Sequence, residues 1–108
     1  MPDFALFRDT LLDRLRMLVE EEWDEVAAAA LDDGRAFVAT AEADLARWTA
    51  LLEAGDLTPE DFTWLVQGKR DLAELEALKQ AGLGLARLDR FRSSLLDTVV
   101  GTAFDVFL

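Results

Sequence analysis

Apolar residues recur at intervals of three and four along almost the whole chain, and this spacing constrains the fold more than any other feature. An α-helix turns once every 3.6 residues, so side chains at these intervals lie on one face and can be buried together. The helical period holds from Phe4 to Phe107 in every window of the sequence. The pattern therefore predicts an all-α protein.

The length of 108 residues indicates a single helical domain over residues 1–108. Hydrophobic residues make up 52% of the chain, enough for a core without disulfides or a metal ion. The first predicted helix would be about 42 Å long, whereas a compact domain of this size is about 34 Å across. We therefore expect an elongated antiparallel bundle of three to four long amphipathic helices, which oligomerisation could complete.

Local signals place the first two helix boundaries. Asp3 is suited to be the N-cap of a helix over residues 4–31. Asp32 and Asp33, followed by Gly34, indicate a boundary between helices. Two carboxylates would oppose the dipole at a helix C-terminus, so we assign residues 32–34 to the N-cap of the next helix. That second helix is expected over residues 35–54, with Gly55 as its left-handed C-terminal residue.

The third helix has the clearest start, whereas its end has two interpretations. Thr58 is a favoured N-cap, Pro59 is suited to the first helical position, and Asp61 stands where a capping-box acid belongs. Gly68 either breaks this helix or permits close approach of another backbone, and the pattern favours a continuous helix. Gly82 followed by an apolar residue is typical of a helix stop, and we favour a turn there over one long helix.

The last helix has an unusually broad apolar face. On a helical wheel its apolar residues between positions 95 and 107 fill an arc of about 180°, whereas a surface helix needs little more than about 100°. Three or four helices are not expected to cover such a face. We therefore predict an interface for a second copy or a partner's helix, formed by Leu95, Leu96, Val99, Val100, Ala103, Phe104 and Phe107.

Charged residues cluster at two places. The acidic cluster consists of Glu20, Glu21, Glu22, Asp24 and Glu25. It is interpreted as a solvated face, with an electrostatic partner surface or a Ca²⁺ or Mg²⁺ site as alternatives.

The basic patch consists of Arg87, Arg90 and Arg92. If the first and last helices are neighbours, its arginines are expected to form ion pairs with the acidic cluster. A docking site for an acidic or phosphate-bearing partner is the alternative. The three tryptophans, Trp23, Trp48 and Trp64, are expected in the core, with an apolar ligand pocket or an interface as alternatives.

The chain contains no histidine, cysteine or tyrosine. Most neutral-pH bases, activated nucleophiles and soft metal ligands are therefore missing, and we expect no enzyme activity, catalytic residue, cofactor or metal. The net charge of −11 predicts no direct binding to nucleic acids and disfavours anionic membranes. The lack of cysteine and of a signal-like start favours a cytoplasmic location.

These observations favour a non-enzymatic protein-interaction or structural protein, acting as an adaptor, a chaperone-like protein or a self-assembling unit. It would bind a second copy or another protein through its apolar C-terminal face and its acidic surface. The alternative is a helical bundle that binds a small apolar ligand or a lipid. For that role, small residues at positions 27–30 and at Gly68 would leave an internal space.

Overall fold

The computed structural model describes residues 3–108, and every regular element in that range is helical. The predicted all-α class is confirmed. The helices are α1 (Phe4–Glu22), α2 (Ala27–Ala54), α3 (Pro59–Gln67), α4 (Glu76–Gln80) and α5 (Leu85–Phe107), with single 3₁₀ turns at Asp24–Val26 and Arg70–Leu72.

The three long helices α1, α2 and α5 form the body of the protein. The ring centroids of Phe7 and Phe107 lie 5.9 Å apart, and those of Trp23 and Phe91 lie 5.3 Å apart. The start of α1 thus meets the end of α5, and the two helices are antiparallel. The molecule measures 42 × 23 × 19 Å. Its long dimension equals the length of about 42 Å expected for the 28 residues of α2.

The fourth position of the bundle is filled by a broken helix made of α3, the segment after it, and α4. At the α3 end, the ring centroids of Phe62 and of Phe104 in α5 lie 6.1 Å apart. Farther along, Lys69 Nζ lies 2.8 Å from the Asp44 carboxylate of α2. The chain therefore runs back along α2 in the opposite direction.

A single apolar core extends along the bundle and draws on every α-helix. Its largest fully buried side chains are Phe7, Phe37, Phe62, Phe91, Leu11, Leu15, Leu45, Leu78, Leu95, Leu96, Val66 and Val99.

The predicted boundary at residues 32–34 is wrong: α1 ends at Glu22, and α2 continues through those residues. Carboxylates at the end of α1 oppose its dipole, and ending the helix there removes further acids from that helix. Asp24 and Glu25 then lie in the first turn of the next helical segment, where negative charge is favourable. The acidic cluster is therefore the true boundary signal.

Asp33 caps a helix, but not the one that we predicted. The residue is only 8% exposed, and its carboxylate accepts hydrogen bonds from the backbone N–H groups of Ala77 at 3.1 Å and Leu78 at 2.8 Å. These groups belong to the first turn of α4, which has no side-chain cap of its own. Asp33 therefore ties α4 to the middle of α2.

The predicted turn between α2 and α3 is confirmed. Gly55 has the left-handed φ of +80° that glycine adopts without strain. The Thr58 hydroxyl accepts a hydrogen bond of 3.0 Å from the backbone N–H of Asp61, with Pro59 as the first helical residue. Both signals are local, so they could be recognised without knowledge of the fold.

The turn predicted after α4 is also confirmed. Gly82 has φ +92°, and its N–H donates to the Lys79 carbonyl at 3.0 Å. The N–H of Leu83 donates to the Leu78 carbonyl at 3.2 Å. This pair of hydrogen bonds defines a Schellman motif, and it separates α4 from α5.

The continuous third helix that we predicted is wrong, because α3 ends at Gln67, just before Gly68. In a continuous helix, Leu75 would lie about 180° away from Val66 and would face solvent. The break turns the chain so that both side chains are buried. Leu75 adopts φ +58° to do so, and burial of a leucine, about 1.5–3 kcal/mol, offsets the left-handed cost of about 1–2 kcal/mol.

One side chain from α5 satisfies backbone that the break exposes in residues 68–75, which we call the broken segment. The guanidinium of Arg92 donates from Nε to the Ala73 carbonyl at 2.9 Å. Arg70, within the broken segment, donates to the Asp89 carbonyl at 3.3 Å and to the Ser93 hydroxyl at 3.2 Å. The Arg92 hydrogen bond and the Asp33 cap thus satisfy backbone groups that the break leaves without helical partners, whereas the Arg70 hydrogen bonds tie the broken segment to α5.

Candidate functional site

A surface groove runs between α1 and α5 and has a volume of about 400 Å³. We call it the α1/α5 groove. It is lined by Arg14, Met17, Leu18 and Glu21 from α1, and by Asp97, Thr98 and Gly101 from α5.

Small residues on α5 and an exposed methionine on α1 give the groove its shape. A methyl group added at Gly101 would have no atom of residues 3–108 within 4 Å, so the backbone of α5 is open to the groove there. Met17 is 54% exposed, and Leu18 beside it is half-buried. Behind this lining, Leu15 and Val99 belong to the core and hold the two walls in place.

The charge of the groove is negative. Within residues 3–108, neither Glu21 nor Asp97 forms an ion pair. The arginine of the groove, Arg14, is held by Asp105 at 2.7 Å. The last turn of α1 carries no basic residue and presents the negative end of the helix dipole at Glu22. This end of the groove therefore favours a cation.

The acidic cluster is exposed throughout, but it is not one site. Only Glu21 lines the groove, and Glu25 forms an ion pair with Arg87. Within the described part of the chain, no group of three or more acidic side chains is arranged to hold a metal ion. The remaining members, Glu20, Glu22 and Asp24, face solvent around the end of α1.

The basic patch is divided among separate roles. The predicted ion pairing with the acidic cluster is confirmed for Arg87, which pairs with Glu25 in the 3₁₀ turn after α1. The Arg87 guanidinium also lies 5.4 Å from the centroid of the Trp23 ring. Arg92 is engaged by Ala73, as described above, and by Asp89 at 2.9 Å. Arg90 is exposed. Two of the three arginines are thus engaged by other parts of the fold.

Most of the predicted C-terminal interface lies inside the chain's own core. Leu95, Leu96, Val99 and Ala103 are fully buried. The expectation that the other helices would fail to cover this face is wrong, because α1, α2 and α3 all pack against α5. The other three predicted residues, Val100, Phe104 and Phe107, are half-buried.

The accessible lining of α5 instead comes from the polar side of that helix. Asp97, Thr98 and Gly101 face the groove. One signal could have identified them, namely a glycine in the middle of a long helix with no turn nearby. Met17 lies outside the apolar stripe of α1, and no feature of the sequence indicated that it lines a groove.

Two of the three tryptophans lie in the core as predicted, and the third does not. Trp23 and Trp48 are buried, although the indole N–H of Trp23 has no hydrogen-bond partner among the described residues. Trp64 is 77% exposed. The prediction for Trp64 is wrong because α3 buries Phe62 and Val66, which leaves position 64 on the outer side.

A smaller cavity of about 190 Å³ lies between α2 and the broken segment. Its lining includes Phe37 and Leu75, together with the carboxylates of Asp33, Glu74 and Glu76. Because Asp33 already accepts two backbone hydrogen bonds, this cavity is best explained as part of the connection between α2 and α4.

The chain matches no known protein-family model, no curated protein and no solved structure. None of the helices described between residues 3 and 108 has the length and apolarity needed to cross a membrane. The interpretation of the groove therefore depends on its own chemistry.

Proposed function

We propose that the protein is a non-enzymatic protein-interaction module whose contact surface is the α1/α5 groove. The observation that carries the proposal is the combination of an accessible apolar floor with a rim of carboxylates that have no ion-pair partner among residues 3–108. Specific protein interfaces have this layout, with an apolar centre and a polar rim.

The floor of the groove is suited to binding a side chain from a partner. Methionine is flexible and polarisable, so Met17 can adapt to the shape of an incoming apolar group. Gly101 leaves room for that group without displacing a side chain. An accessible floor of this kind stabilises a complex by the burial of apolar surface.

The ionisable groups of the groove favour binding over catalysis. General acid–base chemistry near neutral pH needs a group that titrates there, most often histidine, and the sequence has none. Arg14 is neutralised by Asp105, and the groove otherwise offers the carboxylates of Glu21 and Asp97. The alternative role in binding an apolar ligand or lipid has less support, because both cavities have carboxylates in their lining.

Site-specific photo-crosslinking tests the proposal. A photoreactive amino acid replaces Met17 in the full chain, and the same group replaces Ala39 on the exposed face of α2 as the matched control. In cells that express the protein, we expect a discrete protein adduct from position 17 and none from position 39. The added substitution Gly101→Met, which fills the groove, should remove that adduct. Equal adducts at both positions, or an adduct that survives Gly101→Met, would contradict the proposal.

Self-assembly is a second form of the interaction role, and one end of the bundle favours it. Leu6 is 52% exposed at this end, and Phe4 and Phe107 at the same end are half-buried. Light scattering after size exclusion at physiological salt measures the mass directly. If this end assembles, the wild-type protein is a discrete oligomer and the Leu6→Lys variant is a monomer. A monomeric wild-type protein excludes this form and leaves the groove for another protein.

A further inference from the structure

We infer that the α1/α5 groove binds a basic amphipathic helix of a partner protein, an inference that rests on the proposed function. Three features of the groove lead to this partner: the form of its walls, the closeness with which a backbone can approach, and the sign of its charge.

The walls of the groove favour a helical ligand. They are two antiparallel helices, and the described chain has no strand to which an extended peptide could add. Grooves for proline-rich segments are lined by aromatic rings, and no aromatic side chain lines this one. From Arg14 to Glu21 the groove follows α1 for about 10 Å, which is about two helical turns. A helix lying in it would insert one or two apolar side chains.

A helix of the partner can approach α5 closely at this point. Packed helices lie about 8–10 Å apart, and the spacing depends on the side chains at the contact. Gly101 has no side chain, and Thr98 one turn earlier is small. The incoming helix can therefore reach the floor formed by Met17 and Leu18. Its apolar anchor would contact these two residues.

The charge of the groove selects a basic partner. Glu21 and Asp97 lie on opposite walls, and the end of the α1 dipole adds negative potential beside them. A lysine or arginine on the incoming helix would sit between these two carboxylates. A second copy of the protein carries another net charge of −11, which disfavours it as the occupant of this negatively charged groove.

Titration with synthetic peptides tests the inference with the full-length protein. The probe is a fluorescent helical peptide of about 18 residues, with leucine on one face and lysine on the other. Its control has the same composition, but leucine and lysine alternate, so no apolar helix face forms. Anisotropy should show binding that weakens with added salt, and binding of the control weaker by about tenfold or more.

Substitutions locate the bound peptide. Gly101→Met fills the groove without changing its charge, and should weaken binding by about tenfold or more, while its Tm rises because glycine disfavours helix. Ala39→Met adds the same side chain to the exposed face of α2 and should leave binding unchanged. Glu21→Gln and Asp97→Asn should each weaken binding by about two- to fivefold and reduce its salt dependence. Glu53→Gln and Asp56→Asn, exposed near the end of α2, are the matched charge controls.

Each contrary result overturns the inference. Equal binding of the two peptides would show that charge alone attracts the probe. Equal affinities for the Gly101→Met and Ala39→Met proteins, or equal losses from groove and control neutralisations, would place the peptide elsewhere. If the wild-type protein self-associates and Gly101→Met makes it monomeric, the groove holds a second copy. A crosslinked partner at Met17 without a basic helix would overturn this inference while leaving the proposed function intact.

Discussion

At the scale of single residues, the middle of α2 shows how one short sequence can serve distant parts of the fold. Asp33 and Gly34 have the composition of a turn, yet both lie within a continuous helix. Asp33 satisfies the start of α4, and Gly34 lies where side chains of α1 and α5 meet α2. The sequence reveals that these residues are special, but their contacts are with residues far along the chain. Local pattern therefore could not identify their roles.

Replacing Asp33 tests the cap between α2 and α4. In Asp33→Ala, two backbone N–H groups lose their acceptor, and we expect the free energy of unfolding to fall by about 1–3 kcal/mol. Asp32→Ala is the matched control, because Asp32 is exposed and its change should stay within about 0.5 kcal/mol. Urea denaturation measures both values. Equal effects in the two variants would show that the cap contributes nothing.

Gly34 tests the packing between three helices. A methyl group there would lie 3.5 Å from Leu15 Cδ1 and 4.0 Å from Leu95 Cδ1, which is ordinary contact. Gly34→Ala should therefore gain helix propensity and stabilise the protein by about 0.5–1 kcal/mol. Gly34→Leu should overpack the site and destabilise it by about 1–3 kcal/mol. Thermal unfolding provides the comparison, and a loss of stability in Gly34→Ala would contradict this account.

At the scale of elements, helix boundaries could be predicted where the signal was local and were missed where it was not. The turns at Gly55 and Gly82 depend on residues within one helical turn. The break after Gln67 depends instead on which faces of the following residues, 68–75, can be buried against α2 and α5. Its backbone is satisfied by Arg92 and Asp33, which come from other elements. Helical periodicity alone contains no information about such partners.

The contact between α2 and the broken segment should depend on pH. The Lys69 hydrogen bond and charge, assisted by Arg47, hold the pKa of Asp44 below its ordinary value. A carboxyl with a lowered pKa stabilises the fold above its unfolded-state pKa, and this contribution disappears as pH falls through the folded-state pKa. Asp44→Asn should therefore lose less stability than the wild-type protein on acidification from about pH 7 to about pH 3.

Urea denaturation at several pH values measures this difference. Asp32→Asn serves as the control, because Asp32 forms no ion pair within residues 3–108. It should follow the wild-type pH dependence. An Asp44→Asn protein with unchanged acid sensitivity would show that the contact with Lys69 does not stabilise the fold.

At the scale of the whole molecule, the sequence predicted the all-α class, while the candidate site differed from expectation. Periodicity identifies the apolar face of α5 from residues such as Leu95 and Val99. It does not tell how many neighbours will cover that face, because this number depends on the arrangement of all the helices. The groove was missed for the same reason: Met17 and Gly101 become neighbours only when α1 and α5 pair.

Net charge is also a property of the whole molecule and should make stability depend on salt. With 22 acidic and 11 basic residues, self-repulsion acts against the compact state. The exposed ion pairs contribute little in compensation, typically about 0–1 kcal/mol each. We expect the Tm to rise as salt is increased from low concentration to about 0.15 M, where charges more than about 8 Å apart are largely screened.

The double variant Glu20→Gln/Glu22→Gln identifies the source of that salt effect. It removes two exposed charges of the acidic cluster and should show a smaller rise in Tm than the wild-type protein. Neutralising Glu53 and Asp56 together provides the matched control away from this cluster. Calorimetry at each salt concentration is sufficient, and a Tm that falls with salt would show that ion pairing outweighs repulsion.

The antiparallel pairing of α1 with α5 has a consequence for the order in which the helices are expected to pack during folding. α1 and α2 are joined by one short turn, so they can meet early at little entropic cost. Phe7 and Phe107 are separated by almost the entire chain, and closing so long a loop is unfavourable until other contacts compensate for it. We therefore expect the docking of α5 on α1 to be a late step of folding, and the α1/α5 groove to form only with that step.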